Sequence, residues 1–301
     1  MSAQPVMKAQ GGPAMVEGEF LFTEGDFRKI AAMVHGDAGI ALPETKATLV
    51  YSRLAKRLRA LGIQSFQDYC ALVATADGVD ERQKMLAALT TNVTRFFREP
   101  HHFDHLRDQL LPKLLAAARA GARARIWSAA CSSGQEPYSI AMTALAMAPD
   151  LANLDFRILA TDIDPNVVRE AREAVYSDSL LAGMPEEHRR RWTTVVPGRP
   201  GYSRIAEEAR ALITFNELNL IADWPMKGRF DAIFCRNVAI YFDDDTQARL
   251  WSRFAGLLPL EGRLYIGHSE RVAGPAAQNF TPDGITTYRL TSMPRAGEVA
   301  R

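Results

Sequence analysis

The sequence is poor in cysteine and in long apolar runs, and each shortage excludes a class of protein. Among 301 residues there are only three cysteines, Cys70, Cys131 and Cys235, which lie far apart and among apolar neighbours. This spacing indicates neither a cysteine zinc site nor a disulfide framework, so we expect buried, reduced thiols. No apolar run is long enough to cross a bilayer, and the first residues lack the charged and apolar regions of a signal peptide. We therefore expect a cytoplasmic protein that does not insert into membranes.

A strong net charge is also lacking. The chain has 36 lysines and arginines against 35 aspartates and glutamates, which gives a formal net charge of +1. Charges balanced in this way produce no global field that attracts nucleic acid or a membrane surface. We therefore predict no nucleic-acid partner, and function must reside in local groups of residues.

The chain is long enough for two domains, and its pattern changes near residue 90. Residues 1–17 are rich in glycine, alanine, glutamine, methionine and proline without any period, which predicts a disordered tail. Residues 18–90 have helical periodicity throughout, which predicts a small domain of four helices. The predicted helix starts are Thr23, Thr45, Ser65 and Asp80.

The second predicted helix is basic along one side. Between Lys46 and Arg59 there are five basic residues and no acidic one. Lys46, Arg53 and Arg57 are spaced i, i+7 and i+11, so they form one stripe beside the apolar face. The stripe is either a solvated face, the commoner case for a single helix, or a docking surface for an acidic partner, and its single sign makes docking more plausible than usual.

Residues 91–122 are predicted to be a linker and a connecting helix. The segment from Thr90 to Phe103, TTNVTRFFREPHHF, has no clean period, and such junctions often line ligand clefts. Phe96 and Phe97 suit packing, which leaves Asn92, Thr94 and Arg98 available to face a cleft. The alternative is a plain linker. His101, His102 and His105 resemble a metal cluster, but they fit the start of a helix at least as well, so we predict no metal.

From residue 123 to residue 301 apolar strands alternate with helices, which predicts an α/β domain. The first strand, Ile126 to Cys131, leads into the small residues of Ser132-Ser133-Gly134, and a helix follows from Glu136. A strand, tight loop and helix N-terminus is the usual holder of nucleotide-like cofactors. The dinucleotide glycine fingerprint is absent, however, and Glu136 would repel phosphate but attract a cationic amine.

The second strand, FRILAT, ends in Asp162-Ile163-Asp164. A carboxylate at this point holds a ribose diol in sheets of this class, and Asp162 is the better candidate because it follows the strand directly. Asp164 is placed to cap the next helix. The alternative for Asp162 is a second helix cap.

Residues 178–212, approximately, interrupt the alternation with a stretch rich in arginine, proline and glycine. Three short segments around a Pro-Gly turn suggest antiparallel strands, at 195–196, 202–205 and 212–215. We interpret the stretch as an inserted β-subdomain, a candidate for partner recognition. The basic residues Arg189, Arg190 and Arg191 are either part of that surface or a solvated face.

Polar side chains collect at or just after the predicted strand ends, where ligands bind in open α/β sheets. They are Glu136, Asp162, Asn219, Arg236, Asn237 and Tyr241. This mixed-sign set does not suit a phosphate. It suits a ligand with a ribose, an adenine, an amine and a carboxylate, and S-adenosyl-L-methionine is such a ligand.

Six sequence blocks in order resemble the chemotaxis receptor glutamate methyltransferase family, the CheR type. They are TTNVTRFFREPHHF, WSAACSSGQEPYS, ILATDID, NELNL, FDAIFCRNVAIYFD and LYIGHSE. The resemblance implies a Rossmann-like α/β domain for S-adenosylmethionine-dependent methyl transfer, with a small N-terminal helical domain and an inserted antiparallel β-subdomain. Small departures are Gln135, where many members have glutamate, and Ala239, where a larger apolar residue is usual.

The resemblance also implies roles for individual residues. Glu136 would bind the methionine amine, Asp162 the ribose, and Asn219 with Leu220 the adenine. Five further residues would contact the cofactor or its methyl group: Asn92, Thr94, Arg98, Arg236 and Asn237. Arg98 and Tyr241 would act in catalysis, near the reacting methyl. The cofactor would leave as S-adenosyl-L-homocysteine.

The resemblance implies that the substrate is a glutamate side chain of a chemoreceptor. Such a carboxylate, with a pKa of about 4.3, is already an ionised nucleophile at neutral pH, so no general base or metal is needed. The stripe of Lys46, Arg53 and Arg57 would meet the acidic methylation helices of the receptor. Some members of the family bind a receptor C-terminal peptide at the insert, and the residues here leave open whether this chain does. The alternatives are a small-molecule methyltransferase and a cofactor-binding regulatory module.

Overall fold

A computed structural model describes residues 13–294, and the chain divides after Thr90 into two compact units. Most of the predicted disordered tail lies outside the described residues. Its last part contains a strand, β1 (Ala14–Val16), which pairs antiparallel with β2 (Phe22–Thr23). The prediction of disorder up to residue 17 is therefore too long. Within the described part of the chain, no helix is both long and apolar enough for a membrane span.

Four helices form the first unit, as predicted: α1 (Glu24–Ala38), α2 (Ala47–Leu61), α3 (Phe66–Val73) and α4 (Val79–Leu89). Thr23 and Asp26 form a capping box at the start of α1, and Ser65 caps α3 through the backbone N–H of Asp68. The second helix begins two residues later than predicted, because Pro43 starts a 3₁₀ turn that contains Thr45. Gly62, with φ 69°, ends α2 in the left-handed conformation that glycine adopts without strain.

The second unit carries eight further helices within the described residues. They are α5 (His101–His105), α6 (Leu111–Arg119), α7 (Gln135–Met147), α8 (Pro165–Glu173), α9 (Asp178–Leu181), α10 (Glu186–Trp192), α11 (Glu207–Arg210) and α12 (Asp244–Leu257). A π-helical turn joins α5 to α6. Pro165 occupies the first turn of α8, where its missing N–H costs no hydrogen bond.

A seven-stranded sheet organises this unit. Its strands are β3 (Ala124–Ala129), β4 (Phe156–Asp162), β8 (Ile213–Glu217), β9 (Ala232–Cys235), β10 (Arg263–Ile266), β11 (Phe280–Gly284) and β12 (Thr287–Leu290). The spatial order is β11-β12-β10-β9-β3-β4-β8, and the five strands from β10 to β8 are parallel. The chain builds outward from β3 through β4 to β8 and then returns to β9 on the other side. The topological switch point therefore lies between β3 and β9.

Both faces of the sheet are buried, because successive side chains of β3 pack into two different hydrophobic clusters, one on each face. Ile126 packs in one cluster with Tyr138 and Met142 of α7, and Trp127 packs in the other with Trp251 and Phe254 of α12. A strand covered on both faces has apolar residues in succession, such as Ile126 and Trp127, rather than an apolar and polar alternation.

The predicted insert is a separate three-stranded antiparallel sheet. Its strands are β5 (Val175–Ser177), β6 (Thr193–Val195) and β7 (Tyr202–Ile205), in the order β5-β7-β6. Residues 212–215 were predicted as its third strand, but Ile213–Glu217 is β8, which pairs in parallel with β4 of the large sheet. The third strand is instead β5, which begins before the predicted boundary at residue 178.

Candidate functional site

The loop after β3 approaches its neighbours closely. Three of its residues have positive φ: Ala130 (59°), Ser132 (50°) and Gly134 (95°). A Cβ atom on Gly134 would lie 2.9 Å from both the Cβ of Ala171 and the hydroxyl of Tyr176, so a larger residue does not fit. Strained backbone at the carboxyl edge of a sheet, next to the switch point, is typical of a ligand site.

Asp162 ties the end of β4 to this loop. The side chain is buried, and its carboxylate accepts hydrogen bonds from the backbone N–H of Ser132 at 2.8 Å and of Asp164 at 3.0 Å. Burial raises the pKa of Asp162 to about 6, although the backbone donors oppose that shift. Asp164 accepts from the backbone N–H of Asn166 at the start of α8, so its predicted role as a helix cap is confirmed.

Glu136 lies in the first turn of α7 and faces the end of β9. It accepts a hydrogen bond from the hydroxyl of Ser128 at 2.7 Å, and its other oxygen lies 3.1 Å from Nη1 of Arg236. Burial raises the pKa of the Glu136 carboxyl, and the positive charge of Arg236 works against that rise. The predicted cofactor residues Glu136 and Arg236 are therefore in direct contact.

Arg236 has a second acidic partner, which the sequence analysis did not select. Glu99 lies 3.4 Å from Nη2 of Arg236, and the same nitrogen donates to the backbone carbonyl of Arg98. Burial alone would raise the pKa of Glu99, but attraction to Arg236 and a hydrogen bond from His268 hold it below the usual value. We call Glu99, Glu136 and Arg236 the Arg236 cluster. Two carboxylates around one guanidinium leave a formal charge of −1, which suits a cationic group.

The junction segment folds onto the same edge of the sheet. The amide of Asn92 donates to Asp164 at 3.0 Å, and its backbone carbonyl accepts from the hydroxyl of Ser132 at 2.9 Å. Nη1 of Arg98 donates to the carbonyl of Val93 at 2.9 Å, and Thr94 is half-buried in the same turn. Asn92 thus joins the loop after β3 to the end of β4.

Phe96 and Phe97 pack as predicted. Phe96 is buried and meets Tyr176 edge to face, with 5.1 Å between ring centroids. Phe97 packs against Phe103 with a centroid distance of 5.3 Å. The aromatic pair anchors the segment, which is why its polar residues are held at fixed positions.

Tyr241 and Asn237 belong to the segment that leaves β9. Asn237 has φ 60°, and Tyr241 is half-buried at the end of a 3₁₀ turn that begins at Ala239. Asn219 and Leu220 follow β8, two strands away from β3. The side chain of Asn219 accepts from the backbone N–H of Ile221 at 3.0 Å, and Leu220 is buried.

The three histidines begin a helix, which is the structural alternative predicted for them. His102 is fully buried, with Nε2 2.9 Å from the hydroxyl of Thr286, and burial lowers its pKa to about 3. His101, His102 and Glu99 do place ligand atoms within 4.8 Å of one another. Arg236 already supplies a positive charge to Glu99, and we assign no metal to this group.

Glu99 and Glu270 are the site residues that sequence reasoning missed. The carboxylate of Glu270 accepts from backbone N–H groups of the segment that contains Asn237. The available signal was their position in two of the quoted blocks, FREPHHF and LYIGHSE. Sequence spacing does not suggest that Glu99 contacts Arg236 or that Glu270 contacts residues 237–240, because the partners are far apart in the chain.

Comparison with known proteins matches the chain to two family models. Residues 25–90 match the CheR methyltransferase all-alpha domain, and residues 92–288 match the CheR methyltransferase SAM binding domain. The two matches meet at the boundary between the structural units.

Curated relatives match over most of their length. A probable chemotaxis protein methyltransferase of Rhizobium etli is 57% identical over 262 residues, which are 86% of this chain and 97% of the relative. Chemotaxis protein methyltransferase 2 of Pseudomonas aeruginosa is 44% identical over 86% of this chain and 90% of its own. The chemotaxis protein methyltransferase of Escherichia coli is 40% identical over 89% of this chain and 92% of its own.

Proposed function

The chain belongs to the CheR methyltransferase family, and from this we propose that it methylates glutamate side chains of chemotaxis receptors. It is a methyltransferase, and its cofactor is S-adenosyl-L-methionine. The observation that carries the proposal is the match of both structural units to the two domains of that family. Glutamate methyl esters would be the product.

The residues at the switch point suit this cofactor. The Arg236 cluster has a formal charge of −1, and a cationic methionine amine beside Glu136 would balance it. Asp162, with a pKa of about 6, is mostly ionised at neutral pH and can accept hydrogen bonds from both ribose hydroxyls. We propose Asn219 and Leu220 for the adenine, and Asn92, Thr94, Arg98 and Asn237 for the remaining contacts.

The chemistry asks little of the protein beyond position and charge. When bound, the cofactor supplies an electrophilic methyl group on a sulfonium. The receptor glutamate, with a pKa of about 4.3, is ionised at neutral pH and needs no base. We propose that Arg98 binds this carboxylate through its guanidinium and that the hydroxyl of Tyr241 orients it. Both residues would act by placing the nucleophile in line with the methyl group.

Methyl transfer to receptor-containing membranes, followed with radiolabelled cofactor, tests the proposal directly. The wild-type protein should produce a base-labile label on the receptor. Arg98→Ala should lower kcat by about a hundredfold and Tyr241→Phe by about tenfold, since each removes one hydrogen-bonding group from the reacting carboxylate.

Exposed Arg123 offers a matched control for Arg98, because Arg123→Ala removes the same charge just before β3, at the opposite end of that strand from the proposed contacts. Wild-type rates in both the Arg98 and the Tyr241 variants would refute the catalytic assignment. A label that appears on a small molecule but not on receptors would refute the substrate assignment.

We further propose that a receptor C-terminal peptide binds the insert. Strand β6 is an edge of the small sheet, and its Val195 is 74% exposed. An edge strand presents unpaired backbone groups to which an extended peptide can add. Slower methylation of a receptor that lacks its tail would support this part, and equal rates would refute it.

A further inference from the structure

The carboxylate of Glu270 accepts hydrogen bonds from the backbone of the segment that follows β9. The side chain is buried and lies in the turn after β10, in the block GHSE. One carboxylate oxygen accepts from the N–H groups of Val238 at 2.9 Å and Ile240 at 3.3 Å. The other accepts from Asn237 at 2.9 Å and from Gly267. A single carboxylate therefore satisfies four backbone donors.

Three of those donors, Asn237, Val238 and Ile240, belong to a stretch that lacks regular structure. Asn237 has φ 60°, a left-handed conformation that is uncommon for residues other than glycine. The next residues make one 3₁₀ turn before α12 begins. Irregular backbone at this depth leaves N–H groups without ladder partners, and the carboxylate of Glu270 takes that place.

At Gly267 the backbone after β10 closely approaches the backbone after β9. A Cβ atom at this position would lie 2.4 Å from Nδ2 of Asn237 and 2.7 Å from its backbone nitrogen. Glycine is required for this approach, and the approach brings Glu270 within reach of the segment.

Asn237 is also held from its other side. Its amide nitrogen lies 3.5 Å from Oε1 of Glu99, the same oxygen that lies 3.2 Å from Nδ1 of His268. Glu99 in turn pairs with Arg236. Two acidic residues thus fix the position of Asn237 between the Arg236 cluster and the turn after β10.

We propose that Glu270 is a positioning residue for methyl transfer, which holds the backbone of residues 237–240 so that Tyr241 meets the substrate carboxylate. The inference rests on the proposed function for the role of Tyr241. Glu270 acts through the backbone and does not itself touch the reacting atoms.

The chemistry of the contact calls for a carboxylate rather than an amide. Two carboxylate oxygens offer about four lone pairs to four N–H donors. In Glu270→Gln one oxygen becomes an NH₂ group, which would face backbone donors and leave two of them unpaired. Glu270→Asp keeps the charge and both oxygens but is shorter by one methylene, so it should rescue part of the effect.

Amide hydrogen exchange of the free protein tests the clamp without any need for activity. In Glu270→Gln the amides of residues 237–240 should exchange at least tenfold faster than in the wild type, and those of β3 should not change. Glu270→Asp should give an intermediate rate and serves as the test variant if the glutamine variant does not fold. Unchanged protection at residues 237–240 would overturn the proposal.

Kinetics of the same variants test the role in the reaction. Glu270→Gln should lower kcat at least tenfold and leave the KM for the receptor within threefold. If Glu270 acts through Tyr241, the double variant with Tyr241→Phe should lose far less than the product of the two separate factors. A full product of the factors, or an unchanged kcat, would overturn the proposal.

The exchange and kinetic measurements distinguish a failure of this proposal from a failure of the proposed function. A wild-type protein that does not methylate receptors would refute the proposed function, and the exchange measurement would still decide whether Glu270 holds the segment. Glu173→Gln, a matched charge change on α8, should show wild-type exchange and kinetics.

Discussion

Buried acidic residues set the chemistry of the site at the scale of single residues. Asp162 and Glu136 are both desolvated, which raises the pKa of each carboxyl, and each anion is stabilised in part by its own hydrogen-bond donors. Asp162 relies on the backbone donors of Ser132 and Asp164, whereas Glu136 relies on Ser128 and Arg236. The first arrangement leaves an acceptor for hydroxyl groups, and the second leaves an acceptor for a cation.

Cofactor binding should depend on pH through Asp162. In the proposed complex the ribose hydroxyls would donate to the ionised carboxylate, so binding would favour the charged form and lower the pKa from about 6 in the free protein. The affinity is therefore constant at high pH and falls as pH drops through 6. For S-adenosylhomocysteine we expect about tenfold weaker binding at pH 5 than at pH 7.5, measured by calorimetry.

Asp162→Asn is the control for this prediction. The amide cannot ionise, so the variant should bind more weakly at pH 7.5 and should lose the tenfold change on going to pH 5. A variant with the same pH dependence as the wild type would assign that dependence to another group.

At the scale of elements, helix α2 shows that tertiary contacts decide which residues of a sequence pattern are buried, paired or exposed. Its predicted apolar face is buried at Val50, Leu54 and Leu58, whereas Leu61 is 42% exposed. Two members of its basic stripe are bound inside the helical unit. Arg57 makes a bidentate contact with Glu81 of α4, at 2.9 and 2.6 Å, and Arg53 donates to backbone carbonyls near the end of α4.

Arg57 should therefore contribute to folding in addition to the docking that we propose for the basic stripe. Glu81 is buried and also accepts from the hydroxyl of Tyr69, so removal of Arg57 leaves a desolvated carboxylate without its cation. We expect Arg57→Ala to lower the free energy of unfolding by about 2–3 kcal/mol, less than for a fully buried pair because the arginine is partly exposed. Urea denaturation measures this change.

Arg59 on the same helix is the matched comparison. It pairs with Glu19, and both side chains are 54% exposed, so Arg59→Ala should cost less than about 1 kcal/mol. Equal losses in the two variants would show that the contact between Arg57 and Glu81 adds nothing beyond an ordinary surface pair.

At the scale of the whole molecule, the proposed function uses two surfaces. One is the methyl-transfer site on the α/β unit, and the other is a docking face on the helical unit. We propose that the stripe of Lys46, Arg53 and Arg57 meets acidic receptor helices. Lys46 is its exposed member, whereas the other two are half-buried. A test of docking must therefore change Lys46, because reversal of Arg57 would disturb the fold.

Lys46→Glu should raise the KM for receptor methylation severalfold without a change in S-adenosylhomocysteine affinity, because charge reversal opposes the acidic partner and not the cofactor. The effect should shrink at high salt. Lys29→Glu on α1 gives the same change of net charge on another exposed lysine of this unit and should leave KM unchanged. A loss of cofactor affinity in the Lys46 variant, or an equal rise of KM in both variants, would refute docking on this face.

The sequence alone determined the class of fold, since helical periodicity, caps and apolar strands are local signals. The predicted Rossmann-like methyltransferase domain with a helical domain is confirmed by the sheet order and by the family matches. Helix starts at Thr23 and Ser65 followed from side chains that hydrogen-bond three residues ahead. The six blocks, five of them at strand ends, were enough to indicate the family and the cofactor.

Only the tertiary structure decided which side chains share a partner. Glu99, Glu136 and Arg236 come from three separate segments, and they meet because β3 and β9 are neighbours at the switch point. The proposed role of Glu270 depends on the close approach of two strand ends at Gly267. The ion pair between Arg57 and Glu81 forms because α2 packs against α4. Contacts of this kind join residues that are distant in the chain, and the spacing of residues along the sequence carries no measure of those distances.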